Sequence, residues 1–212
     1  MKKITIIAVA FALSMISSIS LAESFVKAGL TVTGYDLTGK GTEETRGVLS
    51  EKTVDIKAPT ASVFGEVGYS MDEASISVGV DIIPYDIDSE TITNARTDSQ
   101  TNTVSATLQN NYGAYLLLSH NSGAYIKAMA SWHEVVSNET IDSAGSTYGN
   151  DDIMAGHVSV GYEKDMGEYF VRGELGRSEF EKAKFTSSSG NTTTTAHLKD
   201  GTHARISIGK QF

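Results

Sequence analysis

Ala74-Ser-Ile-Ser-Val-Gly-Val-Asp-Ile82 is the stretch on which the fold turns. Ala74, Ile76, Val78, Val80 and Ile82 fall on one face of an extended chain, and Ser75, Ser77, Gly79 and Asp81 on the other. Successive side chains of a strand point to opposite faces, so a period of two predicts a strand whose faces meet unlike surroundings.

The same period recurs along the chain and yields eight candidate strands. The apolar faces of the first two are Val26, Ala28, Leu30, Val32 and then Val63, Gly65, Val67, Tyr69. The stretch 74–82 is the third. The fourth runs through Val104, Ala106 and Leu108 to Tyr112, Ala114, Leu116 and Leu118. The fifth carries Ala124, Ile126, Ala128, Ala130 and Trp132, and the sixth Met154, Gly156, Val158, Val160 and Tyr162. The seventh carries Tyr169, Val171, Gly173 and Leu175, and the eighth Ala204, Ile206, Ile208, Lys210 and Phe212. Tight connections at Ser70–Glu73, His120–Gly123 and Lys164–Glu168 alternate with long ones at about 37–60, 84–102, 134–152 and 178–201. Short turns alternating with long loops around an even strand count are the pattern of a transmembrane barrel. The expected fold is therefore all-β: an eight-stranded antiparallel up-and-down transmembrane β-barrel, preceded by a cleavable signal peptide. Thr53-Val-Asp-Ile-Lys57 also alternates, with a parity opposed to that of the second strand. It either extends the barrel after a bulge or folds over the loop.

The opening residues fit an export signal. Met1-Lys2-Lys3 precedes the apolar run Ile4 to Ile16, and Ser20-Leu21-Ala22 fits a small-residue cleavage site. The expected domains are a signal peptide at 1–22 and a barrel at 23–212, with nothing after the barrel. The whole chain carries a net charge of −9. Without Lys2 and Lys3 the basic residues fall from 17 to 15 against 26 acidic ones, a net charge of −11. A nucleic-acid partner is not expected, because a phosphate binder needs a basic face. There is no cysteine, so neither disulfides nor thiol chemistry contribute.

Alternation alone does not say which face points outward, but four features favour the apolar one. It is nearly free of charge, and Lys210 stands at a strand end, where its amine can reach the headgroups. Aromatics gather where two membrane interfaces would lie: Tyr69, Tyr162, Tyr169 and Phe212 near the short turns, Tyr112 and Trp132 equally far from the 120–123 turn. The opposite face collects Lys27, Lys127, Arg172 and Arg205 with Glu66, Asp81, Glu163 and Glu174, four cations against four anions. These predict a salt-bridge network in a narrow lumen. Phe25, Tyr35, Phe64, Tyr115, Tyr125 and Phe170 on the same face would help to fill it. Finally, strand alternation still runs at the terminal aromatic.

With these features the chain resembles the small eight-stranded outer-membrane barrels of Gram-negative bacteria, a family that includes the OmpA membrane domain, OmpX and the Opa adhesins. The resemblance covers about 24–212 and rests on architecture and on Arg205-Ile-Ser-Ile-Gly-Lys-Gln-Phe212, with Lys210 where a hydrophobic residue is more usual. It implies export by the general secretory pathway to the bacterial outer membrane and recognition of the last strand by the barrel-assembly machinery. It also implies a monomer surrounded by outer-membrane lipid and lipopolysaccharide.

Signals for chemistry are weak. His157-Val-Ser159 matches the His-x-Ser pair of one outer-membrane lipase family, but parity turns both residues inward. His133-Glu134 begins a zinc-protease motif that Ser137 interrupts, and Asp86-Ile-Asp88-Ser-Glu90 lacks the rest of a calcium loop. The scattered glycines are expected to ease strand curvature. The segment 134–152 holds Glu134, Glu139, Asp142, Asp151 and Asp152 with no Lys or Arg, and could bind divalent cations bridging lipopolysaccharide phosphates. The expectation is a non-enzymatic barrel without cofactor or metal, in a structural or adhesin-like surface role with its lumen plugged. The alternatives are a narrow porin-like channel and a soluble periplasmic ligand-binding barrel.

Overall fold

The computed structural model describes residues 24–45, 48–89, 92–95, 101–140, 148–186, 188, 192–198 and 201–212. The expected signal segment and Glu23 lie outside them. In chain order the strands are β1 (Ser24–Thr45), β2 (Val48–Ser70), β3 (Ala74–Ile82), β4 (Ile87–Asp88), β5 (Ile92–Ala95) and β6 (Thr101–His120). They continue as β7 (Ala124–Thr140), β8 (Asp151–Met166), β9 (Tyr169–Phe180), β10 (Lys182–Thr186), β11 (Thr192–Leu198) and β12 (Gly201–Gln211).

Eight of the described strands close a barrel. Each is antiparallel to its neighbours in the order β1, β2, β3, β6, β7, β8, β9, β12, and β12 pairs back onto β1. Closure leaves no free edge in the ring, so the ladder hydrogen bonds are satisfied all round. The alternation read from the sequence sets the two faces. Ile206 is 68% exposed, while its neighbours Arg205 and Ser207 are 4% and 8% exposed. In register, Leu30 lies opposite Val63 on one side and Ile208 on the other, so the apolar residues form a continuous outward band.

The tight connections are set by backbone geometry. Gly167-Glu168 joins β8 to β9 in two residues, and Gly167 has φ +79°, as a hairpin turn matched to strand twist requires. Gly123, at φ +93°, ends the three-residue turn between β6 and β7, where an added Cβ would strike the Glu163 carbonyl.

Three expectations need correction. Most of the described residues in the stretches expected as long loops are strand. β1 and β2 pair without a break from Ser24↔Tyr69 to Thr45↔Val48, so Thr53–Lys57 is strand and no bulge precedes it. β10 carries β9 upward beside β11, which lies along upper β1 above β12, and β4 and β5 lie along upper β6. The reason is a reversal of polarity: beyond the outward band the apolar side chains turn inward. Leu37, Val135, Ile153, Ala155, Phe180, Ala183 and Phe185 form a buried cluster there. The second correction concerns the fourth expected strand. A bulge between Gln109 and Tyr112, with Asn110 at φ +51°, inserts one residue and flips the parity above it. Ala106 and Leu108 therefore pack on the inner cluster instead of continuing the outer band. The third concerns inward-facing glycines. Gly29, Gly68, Gly79, Gly161 and Gly209 each lie under a ring of an adjacent strand: Phe64, Phe25, Tyr115, Tyr125 and Phe170 respectively. At these places glycine makes room for an aromatic plug.

Candidate functional site: the barrel interior

The eight charged residues singled out by parity all point into the lumen, and the structure sorts them into two neutral layers. The layer nearer the short turns joins Lys27, Glu66, Glu163 and Arg172. Lys27 Nζ lies 2.5 Å from Glu163 Oε1, and Arg172 Nε donates to Glu163 Oε2. Arg172 also grips Glu66 with two donors, at 2.7 and 3.0 Å, and Tyr115 Oη donates to Glu66 at 3.0 Å. This planar two-point contact is what a guanidinium supplies and a lysine cannot. The second layer joins Asp81, Lys127, Glu174 and Arg205. Lys127 Nζ donates to Glu174 Oε2 at 2.8 Å, Tyr125 Oη donates to the same oxygen at 3.3 Å, and Arg205 pairs with Asp81. Two cations and two anions in each layer leave no net charge to be held away from water.

Aromatic rings fill the space between these groups. Arg172 lies 4.8 Å from the Phe170 ring centre, and Lys27 lies 4.8 Å from that of Phe25 and 5.0 Å from that of Phe170. Lys127 stands 4.9 Å from the Tyr115 ring. Cations over ring faces gain electrostatically while the rings exclude water. Phe25, Phe64, Tyr115, Tyr125 and Phe170 are buried, as inward parity requires, and Tyr35 is half-buried higher up.

Above the charged layers runs a chain of side chains that sequence reading did not assemble. Glu174 Oε1 faces His203 Nε2 at 3.6 Å, and His203 Nδ1 meets Ser178 Oγ at 2.8 Å. Ser178 Oγ meets His157 Nδ1 at 2.8 Å, and His157 Nε2 meets Ser131 Oγ at 2.8 Å. Ser131 Oγ meets His133 Nε2 at 2.8 Å, and His133 Nδ1 meets Asn111 Oδ1 at 2.7 Å. Inward parity holds for the histidines and serines, so the alternation contained the signal. Asn111 was hidden, because the bulge beside it sets its direction.

The six aromatics expected at interfaces fall at two levels. Tyr112 and Trp132 are cross-strand partners, stacked at 5.5 Å with their planes 19° apart. Tyr69, Tyr162, Tyr169 and Phe212 are exposed near the short turns. Lys210 belongs to that rim. Its amine lies 3.0 Å from Glu168 and within 6 Å of the Tyr169 and Phe212 ring centres, at 5.9 and 5.4 Å.

The remaining motifs have ordinary surroundings. Ser159 is buried beside the charged layers, and His157 is held by two serines. Glu134 accepts from Asn110 and Asn150, and Asp88 accepts from Thr107. Asp151 accepts backbone N–H groups of Asp152 and Lys184. Glu90 and Asp142 lie outside the described residues, and Glu139 is placed only as strand backbone opposite Val104. Among the described residues no three His, Cys, Asp or Glu side chains are grouped to hold a metal.

A closed eight-stranded antiparallel barrel with an apolar outside and a charged, ring-filled inside fits the small outer-membrane barrels that the sequence resembles. No family model matches the chain, and no curated protein matches it. Solved structures similar to it include Ail, the attachment invasion locus protein of Yersinia pestis, in complex with the heparin analogue sucrose octasulfate. That likeness has 5% identity and a TM-score of 0.39, covering 88% of this chain and 99% of that one. The outer membrane protease OmpT from Escherichia coli has 9% identity and a TM-score of 0.40, covering 92% and 99%. Neisserial surface protein A has 10% identity and a TM-score of 0.28, covering 85% and 95%.

Proposed function

We propose that the chain is a bacterial outer-membrane barrel with a structural or surface-interaction role, not an enzyme, and with its lumen plugged by side chains. The observation that carries this reading is the switch in polarity along the strands. Around the two charged layers the apolar residues face out, and beyond them they face in around Leu37, Phe180 and Phe185. A barrel wholly in water has no use for the first arrangement, and one wholly in lipid has no use for the second. β1 and β2 are 22 and 23 residues long, against the roughly 9–11 a tilted strand needs to cross a bilayer. The surplus forms a raised wall, and its rim is the part able to meet other molecules. The proposed partners are outer-membrane lipid and lipopolysaccharide around the band, and the barrel-assembly machinery during insertion.

Two experiments test the two halves of this reading. Fractionation of cells expressing the full chain should leave the protein in the outer membrane, with different gel mobility before and after boiling. Recovery from the soluble periplasm would overturn the membrane reading and favour a ligand-binding barrel. Shortening the β1–β2 hairpin to remove 40–53 should leave the mobility change intact and lower cell adhesion, serum resistance or envelope integrity. No change in any of the three would count against a surface role.

A further inference from the structure

We infer that the His203–Ser178–His157–Ser131–His133 chain is a proton-binding site that holds one proton more than its neutral side chains supply. One end of the chain is fixed. Asn111 Nδ2 donates to the carbonyls of Leu108 at 3.0 Å and Tyr85 at 3.5 Å, which fixes the amide and leaves Oδ1 as an acceptor. His133 Nδ1 must then carry hydrogen, and a neutral His133 presents Nε2 as an acceptor. Ser131 gives that nitrogen its one hydrogen, so the hydrogen between Ser131 and His157 has to come from His157 Nε2. A neutral His157 then accepts at Nδ1 from Ser178, and Ser178 in turn needs a hydrogen from His203 Nδ1.

The sequence of obligations ends at His203 Nε2, which faces Glu174 Oε1 at 3.6 Å. That oxygen is buried and makes no hydrogen bond among the described residues; Arg205 Nε, also without one, lies 3.9 Å from it, beyond hydrogen-bond reach. Three neutral imidazoles and two hydroxyls bring five hydrogens, whereas the chain from Asn111 to Glu174 has six gaps to fill. One added proton fills the sixth. It belongs in the His203–Glu174 gap, because the other five contacts are already closed at 2.7–2.8 Å and the carboxylate facing His203 is the anion at the end of the chain. The groups around the chain make the position specific. Tyr35 of β1 stands 5.9 Å from the His203 ring, and Asp81 of β3, Lys127 of β7, Glu174 of β9 and Arg205 of β12 form the layer beneath. Of these, Glu174 is the anion that faces His203 directly. The serines occupy the space between imidazoles, so the site suits a proton and not a metal ion. Loss of the proton leaves that gap empty.

The inference does not depend on the barrel lying in a membrane. It is tested by nitrogen NMR of histidine-labelled full chain refolded in detergent micelles, titrated from about pH 5 to pH 8, where histidine charge ordinarily changes. His133 should hold the Nδ1–H tautomer and His157 the Nε2–H tautomer throughout. A single ring, His203, should carry hydrogen on both nitrogens. His120, at the β6–β7 turn, serves as the solvent-exposed reference. Glu174→Gln supplies an amide hydrogen for the sixth gap, so that variant should lose the cationic His203 signal across the range. Two or three lumenal rings titrating separately, or His133 in the other tautomer, would overturn the count, and so would a cationic His203 persisting in Glu174→Gln. The wild-type tautomers decide the matter even if the variant does not refold.

Discussion

Replacing Arg172 with methionine removes the hub of the lower charged layer while keeping a side chain of similar length among the rings. Three contacts go at once: two to Glu66 and one to Glu163. Glu163 keeps Lys27, whereas Glu66 loses both guanidinium donors, retains the Tyr115 hydroxyl and remains buried. Removing one partner of a buried pair costs about 3–5 kcal/mol, because a desolvated charge is left uncompensated. At about 1.4 kcal/mol per factor of ten, the folding equilibrium should fall by between two and four powers of ten. Urea unfolding in lipid vesicles, followed by gel mobility and fluorescence, would measure it. Adding Glu66→Gln to Arg172→Met should return part of the loss, because the orphaned charge goes with it. A single variant within about 1 kcal/mol of wild type, which is the usual worth of an exposed ion pair, would refute the reasoning. So would a double variant less stable than the single by the full cost of a second lesion.

Three further outcomes follow from the same geometry. Gly79→Ala drives a methyl into the Tyr115 ring, and should destabilise by about 1–3 kcal/mol in the same unfolding assay. Ile206→Arg places a charge in the outward band and should cost about 2–4 kcal/mol in vesicles, whereas Thr202→Arg, higher on the same face, should cost about 0–1. Planar-bilayer recordings of the wild type should show no large stable conductance, because two layers of paired charges and rings cross the lumen; a large steady current would favour the porin-like alternative.

What could be read from the sequence was whatever depends on parity. Ile76, Val78 and Val80 against Ser77, Gly79 and Asp81 is enough to define a two-faced strand, and repetition of that pattern defines the barrel and its inward charges. Parity fails where the chain departs from simple alternation. Asn110 and Asn111 carry no sign that one of them is an extra residue, yet that insertion turns Ala106 and Leu108 inward. Parity is also silent on the medium. It turns Leu30 outward and Leu37 inward, but does not say that the apolar band has ended between them. The histidine chain was harder still, since His133, His157 and His203 lie on three strands and are joined by hydrogen bonds through Ser131 and Ser178. The pairing of Gly79 with Tyr115 depends on register between β3 and β6, which no local pattern specifies.

The central claim is that the outward band lies in lipid with Tyr112 and Trp132 at its upper edge. Trp132 is the chain's one tryptophan, so its fluorescence reports a single place. Refolded into vesicles whose lipids carry bromine at graded depths, the protein should be quenched most strongly by bromine near the headgroups and least by bromine at the bilayer centre. Emission that no brominated lipid quenches would contradict a membrane barrel, and strongest quenching from the centre would contradict the placement of its edge.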